Sequence, residues 1–223
     1  MSTALLLAAL WVAFGATHVA FSSRALRPKL VSALGVGGFF GAYSVIALAI
    51  FVPLVTVYVR HRHAGPYLGS LVGLPGMRWA MYLAMGFAFA LVAGAVVRPS
   101  PAAVVPGDTE VRGVYRITRH PMFMGVGVFG LLHLCVVAVN ASELAFFAGF
   151  PLFALIGTRH QDARKLADGD AGFRRFHDAT TWLPLPRPAA VVAALREQPA
   201  SIAIGVAATV AVRWLHPAVF GAG

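Results

Sequence analysis

The stretch VSALGVGGFFGAYSVIALAIFVPLVTVYV, Val31–Val59, holds 29 residues and no charged side chain. A helix needs about 20 predominantly apolar residues to cross a bilayer, so this run has length to spare for tilt or for extension past the lipid. Arg24, Arg27 and Lys29 precede it and Arg60 and Arg62 follow it, which is how a span is bracketed at the two membrane faces. Working outward, the same criterion finds Thr3–Phe21, Trp79–Val97, Met122–Asn140, Leu144–Thr158 and Pro199–Trp214. Leu144–Thr158 is short and opens beside Glu143, and Ala189–Arg196 is apolar but too short to cross, so it reads as an interfacial approach helix. Met1-Ser-Thr has no basic n-region, so the first run reads as a span and not as a signal peptide.

The whole composition agrees. Hydrophobic residues make up 59% and charged residues 12% of the 223, against about 45–50% and about 25% in soluble domains, and the mean hydropathy is +0.77. A soluble enzyme, a disordered chain and a disulfide scaffold are excluded. Cys135 is the one cysteine, so no disulfide or CxxC site exists. The expected fold is an all-α integral membrane protein of about six transmembrane helices in a single bundle, residues 1–223.

A net charge of +10 would suggest nucleic acid in a soluble protein; in a membrane protein it carries topology. Of the eighteen basic residues, thirteen fall in the first, third and fifth loops. The positive-inside rule then puts those loops in the cytoplasm and both termini outside, in the inner membrane of a cell. Arg60, His61, Arg62 and His63 stand on the minority side. The loops Arg98–Pro121 and Arg159–Pro188 carry the polar information, and Pro99, Pro101 and Pro106 keep the start of the former turned or extended.

The densest polar motif is Gly113-Val-Tyr-Arg-Ile-Thr-Arg-His-Pro121, directly before an apolar run. Pro121 suits the first turn of a helix. The free N–H groups of that turn, with Arg119 and His120 beside them, suit a carboxylate or phosphate. Snorkelling to the interface also accounts for Arg116 alone. His18, His120 and His133 stand in or at the edge of spans, where ionisable groups default to a functional reading and imidazole is a ready metal or haem ligand. An interhelical hydrogen bond is the plainer role. His61, His63, His160, His177 and His216 read as loop or interface residues, most of them simply solvated. Gly35, Gly37 and Gly38 read as a place where helices approach closely. Ser142 reads as a helix N-cap, and Asp162 as an ion-pair partner for Arg119 or Arg164.

At these residues the chain resembles the NnrU family, integral membrane proteins associated with denitrification, and its plant relative zeta-carotene isomerase. The resemblance runs through His18, Gly41-Ala-Tyr-Ser44, Tyr115-Arg-Ile-Thr-Arg-His-Pro121, Gly125, His133-Leu134, Asn140, Asp162 with Arg164, and Thr180-Thr-Trp-Leu-Pro184. Arg-His-Pro is also shared with isoprenylcysteine carboxyl methyltransferases and phospholipid methyltransferases. There it serves, with a downstream acidic pair, to hold S-adenosylmethionine; here that pair reduces to Gln161-Asp162. The isomerase resemblance implies haem b with histidine ligation and redox-gated isomerisation of a polyene. It puts iron-ligand candidates at His18 and His133, and puts Gly130 where the isomerase has a cysteine. By helical rise, His18 lies about 5 Å and His133 about 18 Å from the inner ends of their spans, so by depth His18 pairs better with His120.

Three functions follow. In the first, the chain is a haem-binding oxidoreductase, isomerase or nitrogen-oxide accessory protein acting on a hydrophobic small molecule in the lipid bilayer. Its iron would be held by His18 with His133 or His120, and its propionates by Arg116 and Arg119. In the second, it is a membrane methyltransferase using Arg119, His120 and Asp162 toward S-adenosylmethionine. In the third, it is a non-enzymatic assembly partner.

Overall fold

The computed structural model describes residues 2–101, 103, 107–136 and 139–220. Its helices are α1 (Thr3–Ser22), α2 (Arg27–Arg60), α3 (Met77–Val97), α4 (Pro121–Val136), α5 (Ala141–Phe147), α6 (Gly149–Ala167), α7 (Ala171–Asp178), α8 (Pro188–Glu197) and α9 (Pro199–Phe220). A 3-10 turn at Gly113–Arg116 precedes α4, and two short strands, β1 (Tyr67–Gly69) and β2 (Val139–Asn140), pair antiparallel. The chain is an all-α membrane protein: α1, α2, α3, the continuous α5–α6 segment and α9 are long and apolar enough to cross a membrane.

The fourth expected span differs. Helix α4 has 16 residues, about 24 Å at 1.5 Å per residue, short of a hydrocarbon core of about 30 Å. The expected Met122–Asn140 run overshoots because Val139 and Asn140 leave the helix to pair with β1. Val137 and Ala138, like Pro106, lie outside the described residues. The fifth span is longer than expected, since the helix runs on through His160 and Arg164 to Ala167.

The helices pack as a continuous row, α9 on α3, α3 on α4, α4 on α6, α6 on α1 and α1 on α2, with α5 against α1. The C-terminal ends of α1, α3 and α6 and the N-terminal ends of α2 and α4 meet at one end of the bundle. That end is covered by a core of Leu91, Val114, Tyr115, Ile117, Met124, Phe173, Phe176 and Ala194. The far end has its own core around Leu7, Trp11, Leu54, Phe146 and Phe147, where Trp11 Nε1 donates to the Phe146 carbonyl at 2.8 Å.

Two local expectations are corrected here. The α5 N-cap is Asn140, not Ser142, because Asn140 and Glu143 form a capping box across the first turn. Ser142 lies inside the helix, its Oγ accepting from the Ala64 N–H at 3.0 Å. Glu143, 1% exposed, accepts from the backbone of His63 at 2.7 Å and of Asn140 at 3.1 Å, so it ties the second loop to α5. Nor does the Gly35–Gly38 cluster bring helices together: a Cβ at Gly35 or Gly37 would meet nothing within 4 Å. Gly35 takes φ 69° and breaks α2, a backbone state open to glycine and strained for other residues.

Close helix approach occurs elsewhere. A Cβ on Gly125 would sit 2.6 Å from the Ala88 carbonyl, and one on Gly130 would sit 2.6 Å from the Phe147 carbonyl. Gly125→Ile is expected to pry α4 from α3 and lower stability by about 1–3 kcal/mol, the usual cost of overpacking. Gly15→Ala, at a position with open space around it, is the matched control. Thermal denaturation in detergent reads the difference, and equal melting of the two variants would contradict the packing.

Candidate ligand site

Arg119 donates from Nε to Asp162 Oδ2 at 2.8 Å, and His120 donates from Nε2 to Asp162 Oδ1 at 2.9 Å. The three side chains are only 11%, 2% and 9% exposed for Arg119, His120 and Asp162. The carboxylate that the sequence calls for at the start of α4 is therefore supplied by the chain itself, from α6. Around it the two distant motifs interlock. Arg119 N–H donates to the Thr181 carbonyl at 2.9 Å, and its guanidinium to the Thr180 carbonyl at 3.1 Å. Thr118 Oγ1 donates to the Trp182 carbonyl at 2.6 Å, Thr181 Oγ1 to the Ile117 carbonyl at 2.8 Å, and Trp182 Nε1 to Thr158 Oγ1 at 2.9 Å. Ile-Thr-Arg-His and Thr-Thr-Trp thus form one polar knot that fixes the tail against α4 and α6.

Arg116 is committed as well. It forms a bidentate pair with Glu197 at the end of α8, with Arg116 Nη2 2.7 Å and Nε 2.9 Å from the two carboxylate oxygens. Glu197 also accepts from the Gly113 N–H at 2.7 Å. Gly113 sits at φ 58°, where a Cβ would collide with the Gln198 side chain. The Arg116 guanidinium holds the Glu197 carboxyl down at about 2, against an ordinary 4.5. A depressed pKa means the pair's contribution is complete above about 4.5 and is lost as pH falls towards about 2. Glu197→Gln is expected to cost about 1 kcal/mol at neutral pH, and its melting gap from the unmodified chain should close on acidification; a gap that stays constant with pH would contradict the pairing.

Beside the knot lies a cavity of about 680 Å³, bounded by α1, α2, the ends of α3 and α4, and α6. His18, Phe39, Phe40, Tyr43, Phe123 and Phe153 line it, together with Arg27, His120, His160, Arg164 and Lys165. His18 Nδ1 lies 2.7 Å from the Phe14 carbonyl. A carbonyl can only accept, so the ring proton is on Nδ1 and Nε2 carries the lone pair. The ring is held among Phe14, Tyr43 and Phe153 at centroid distances of 4.1, 5.0 and 5.1 Å. Tyr115, also on the lining, donates from its hydroxyl to the Arg98 carbonyl at 2.6 Å. Burial pushes its phenol up to about 12, so it stays a neutral donor.

His133 belongs to a different neighbourhood. It stacks on Phe147 with centroids 4.5 Å apart and donates from Nδ1 to the Phe129 carbonyl at 2.9 Å, in the far-end cluster and away from the cavity lining. The structure therefore brings His18 and His120 to one cavity and leaves His133 and Arg116 outside it. It adds His160, whose Nε2 is buried with no hydrogen-bond partner. The signal for His160 was the helical spacing Phe153, Gly157, His160, Arg164, Asp168, which puts one face of α6 on the cavity. Among the described residues no group of three or more His, Cys, Asp or Glu side chains is placed to hold a metal ion by itself.

The chain is 25% identical over 175 residues to the chloroplastic 15-cis-zeta-carotene isomerase of Arabidopsis thaliana, covering 77% of this chain and 47% of that protein. It is 22% identical over 178 residues to the chloroplastic 15-cis-zeta-carotene isomerase of Zea mays, covering 78% and 48%. The chain thus spans about half the length of these relatives. No solved structure matches it. The family model described as NnrU protein matches residues 5–223, across the Arg-His-Pro and Thr-Thr-Trp segments that the fold interlocks. The chain belongs to the NnrU family.

Proposed function

We propose that this chain binds haem b in the His18 cavity and acts as a redox or isomerase protein on a hydrophobic small molecule. The observation that carries the reading is one aromatic-lined cavity bounded by His18, whose Nε2 keeps its lone pair, and by His160, whose buried Nε2 has no hydrogen-bond partner. Imidazole nitrogens of this kind are ready haem ligands. His160 is a better second donor than His120, whose Nε2 is taken by Asp162. Haem held there would supply one-electron chemistry, and the relatives' name points to the double bonds of a polyene as its target.

The chain's own residues do the rest. The Phe14 carbonyl fixes the His18 tautomer, the surrounding aromatic rings orient the imidazole, and Phe39, Phe40, Phe123 and Phe153 offer apolar contact. On this reading the basic end faces the cytoplasm. The S-adenosylmethionine reading gains less support, because Arg119 and His120 spend their side chains on Asp162. The test is to incubate haem-supplemented purified protein with 15-cis-zeta-carotene, with and without dithionite, and follow the isomer by chromatography. Conversion in the reduced sample alone is expected; no conversion in a haem-loaded preparation would overturn the isomerase reading.

A further inference from the structure

Most cations at the basic end are already paired. Arg98 bonds Asp108 and Glu110, Arg116 bonds Glu197 and Arg119 bonds Asp162. Of the four that line the cavity, Arg119 is the one so held, and Arg27, Arg164 and Lys165 are held more loosely. Arg27 makes no ion pair among the described residues and only faces the Phe39 ring at 5.6 Å. Lys165 Nζ donates to the Pro101 carbonyl at 3.2 Å. Arg164 reaches Asp168 from Nη1 at 3.4 Å, beyond the usual N–H···O range. Its Nε is buried with no partner. Of the nearby carboxylates, Asp168 is 44% exposed and shared with Arg24 at 3.6 Å, and Asp170 caps α7.

We propose that Arg27, Arg164 and Lys165 form a seat for the acid group of an anionic amphiphile whose apolar body lies among Phe39, Phe40 and Phe123. An arginine kept only for topology extends into water, whereas the Arg164 side chain is 14% exposed and a buried guanidinium N–H without an acceptor is costly. Its planar fork suits a carboxylate or phosphate. Low-dielectric aromatic walls strengthen the attraction of such a cluster for an anion. A cavity of about 680 Å³ is far larger than an inorganic anion and falls in the range of small-molecule sites. The proposal deepens the ligand reading of the cavity but does not depend on iron. The carboxylate of a free ligand and the phosphate of a lipid headgroup share this chemistry, and a two-armed experiment separates them.

In the first arm, purified full-length protein is titrated with metal-free protoporphyrin IX and with its dimethyl ester, read by porphyrin fluorescence. In the second, melting is compared in mixed micelles containing phosphatidylglycerol or phosphatidylcholine. The acid is expected to bind about tenfold or more tightly than the ester, which is about 1.4 kcal/mol, or phosphatidylglycerol to raise the melting temperature selectively. Either result supports the seat and names its source. The Arg27→Gln/Lys165→Gln variant should lose the preference while keeping its fold, with Arg164→Gln as the second variant. No discrimination in either arm, or a preference that survives in both variants, would overturn the proposal. Because iron is absent from both arms, loss of haem binding alone would strike the proposed function and leave the seat standing.

Discussion

An Asp162→Ala variant is expected to lose about 3–5 kcal/mol of stability, the cost of removing one member of a buried ion pair. The carboxylate is the shared acceptor of Arg119 at 2.8 Å and His120 at 2.9 Å. Its loss leaves a guanidinium and an imidazole facing each other with little water. The effect should reach the tail, because Arg119 also holds the Thr180 and Thr181 carbonyls. Asp162→Asn keeps one acceptor oxygen without the charge and should fall between the two. Thermal denaturation in detergent measures the loss, and tryptic cleavage after Arg174 or Arg175 reports release of the tail. An Asp162→Ala protein that melts with the unmodified chain and keeps its tail protected would mean that the knot does not bind the tail to α4 and α6.

His18→Ala is the second large effect. On the proposed function it removes a cavity histidine of fixed tautomer and ring orientation whose Nε2 is not spent on a carboxylate, and haem retained per protein should fall about tenfold or more, since an orienting hydrogen bond on a ligating histidine is itself worth about 10–100-fold. The fold should survive, because the side chain's hydrogen bond returns to its own helix at Phe14 and the ring is half-buried. His133→Ala should leave the spectrum unchanged. His18 lines the cavity with Phe153 and Phe123, whereas His133 stacks on Phe147 and is not on the cavity lining. His133 is therefore expected to take no part in holding the haem. A spectrum lost in His133→Ala and kept in His18→Ala would reverse this assignment.

Much of this was legible in the residues. Charge-free runs such as Val31–Val59 fix the spans, because a bilayer leaves few alternatives to a helix, and Pro121 marks the start of α4. Element ends were harder to read. The apolar run after Met122 does not announce that Val139 will pair with Tyr67–Gly69, since a short strand and a helix end share the same residues. The capping box is written in the sequence as Asn140-x-x-Glu143, but Asn140 and Ser142 are both good cap formers and stand two residues apart. His160 was missed because the fifth span was closed at Thr158. Once α6 continues to Ala167, His160, Arg164 and Asp168 fall on the face that begins at Phe153. Pairing across the chain was the least legible part. That Arg116 would spend its charge on Glu197 and Arg119 on Asp162 depends on which helices become neighbours.

The central claim is that the His18 cavity holds haem, and an absorption spectrum of the detergent-purified, haem-supplemented protein tests it most directly. A Soret band is expected and, on reduction, sharp α and β bands of a six-coordinate iron, all lost in His18→Ala. A featureless spectrum from protein that is folded by circular dichroism and melts cooperatively would contradict it.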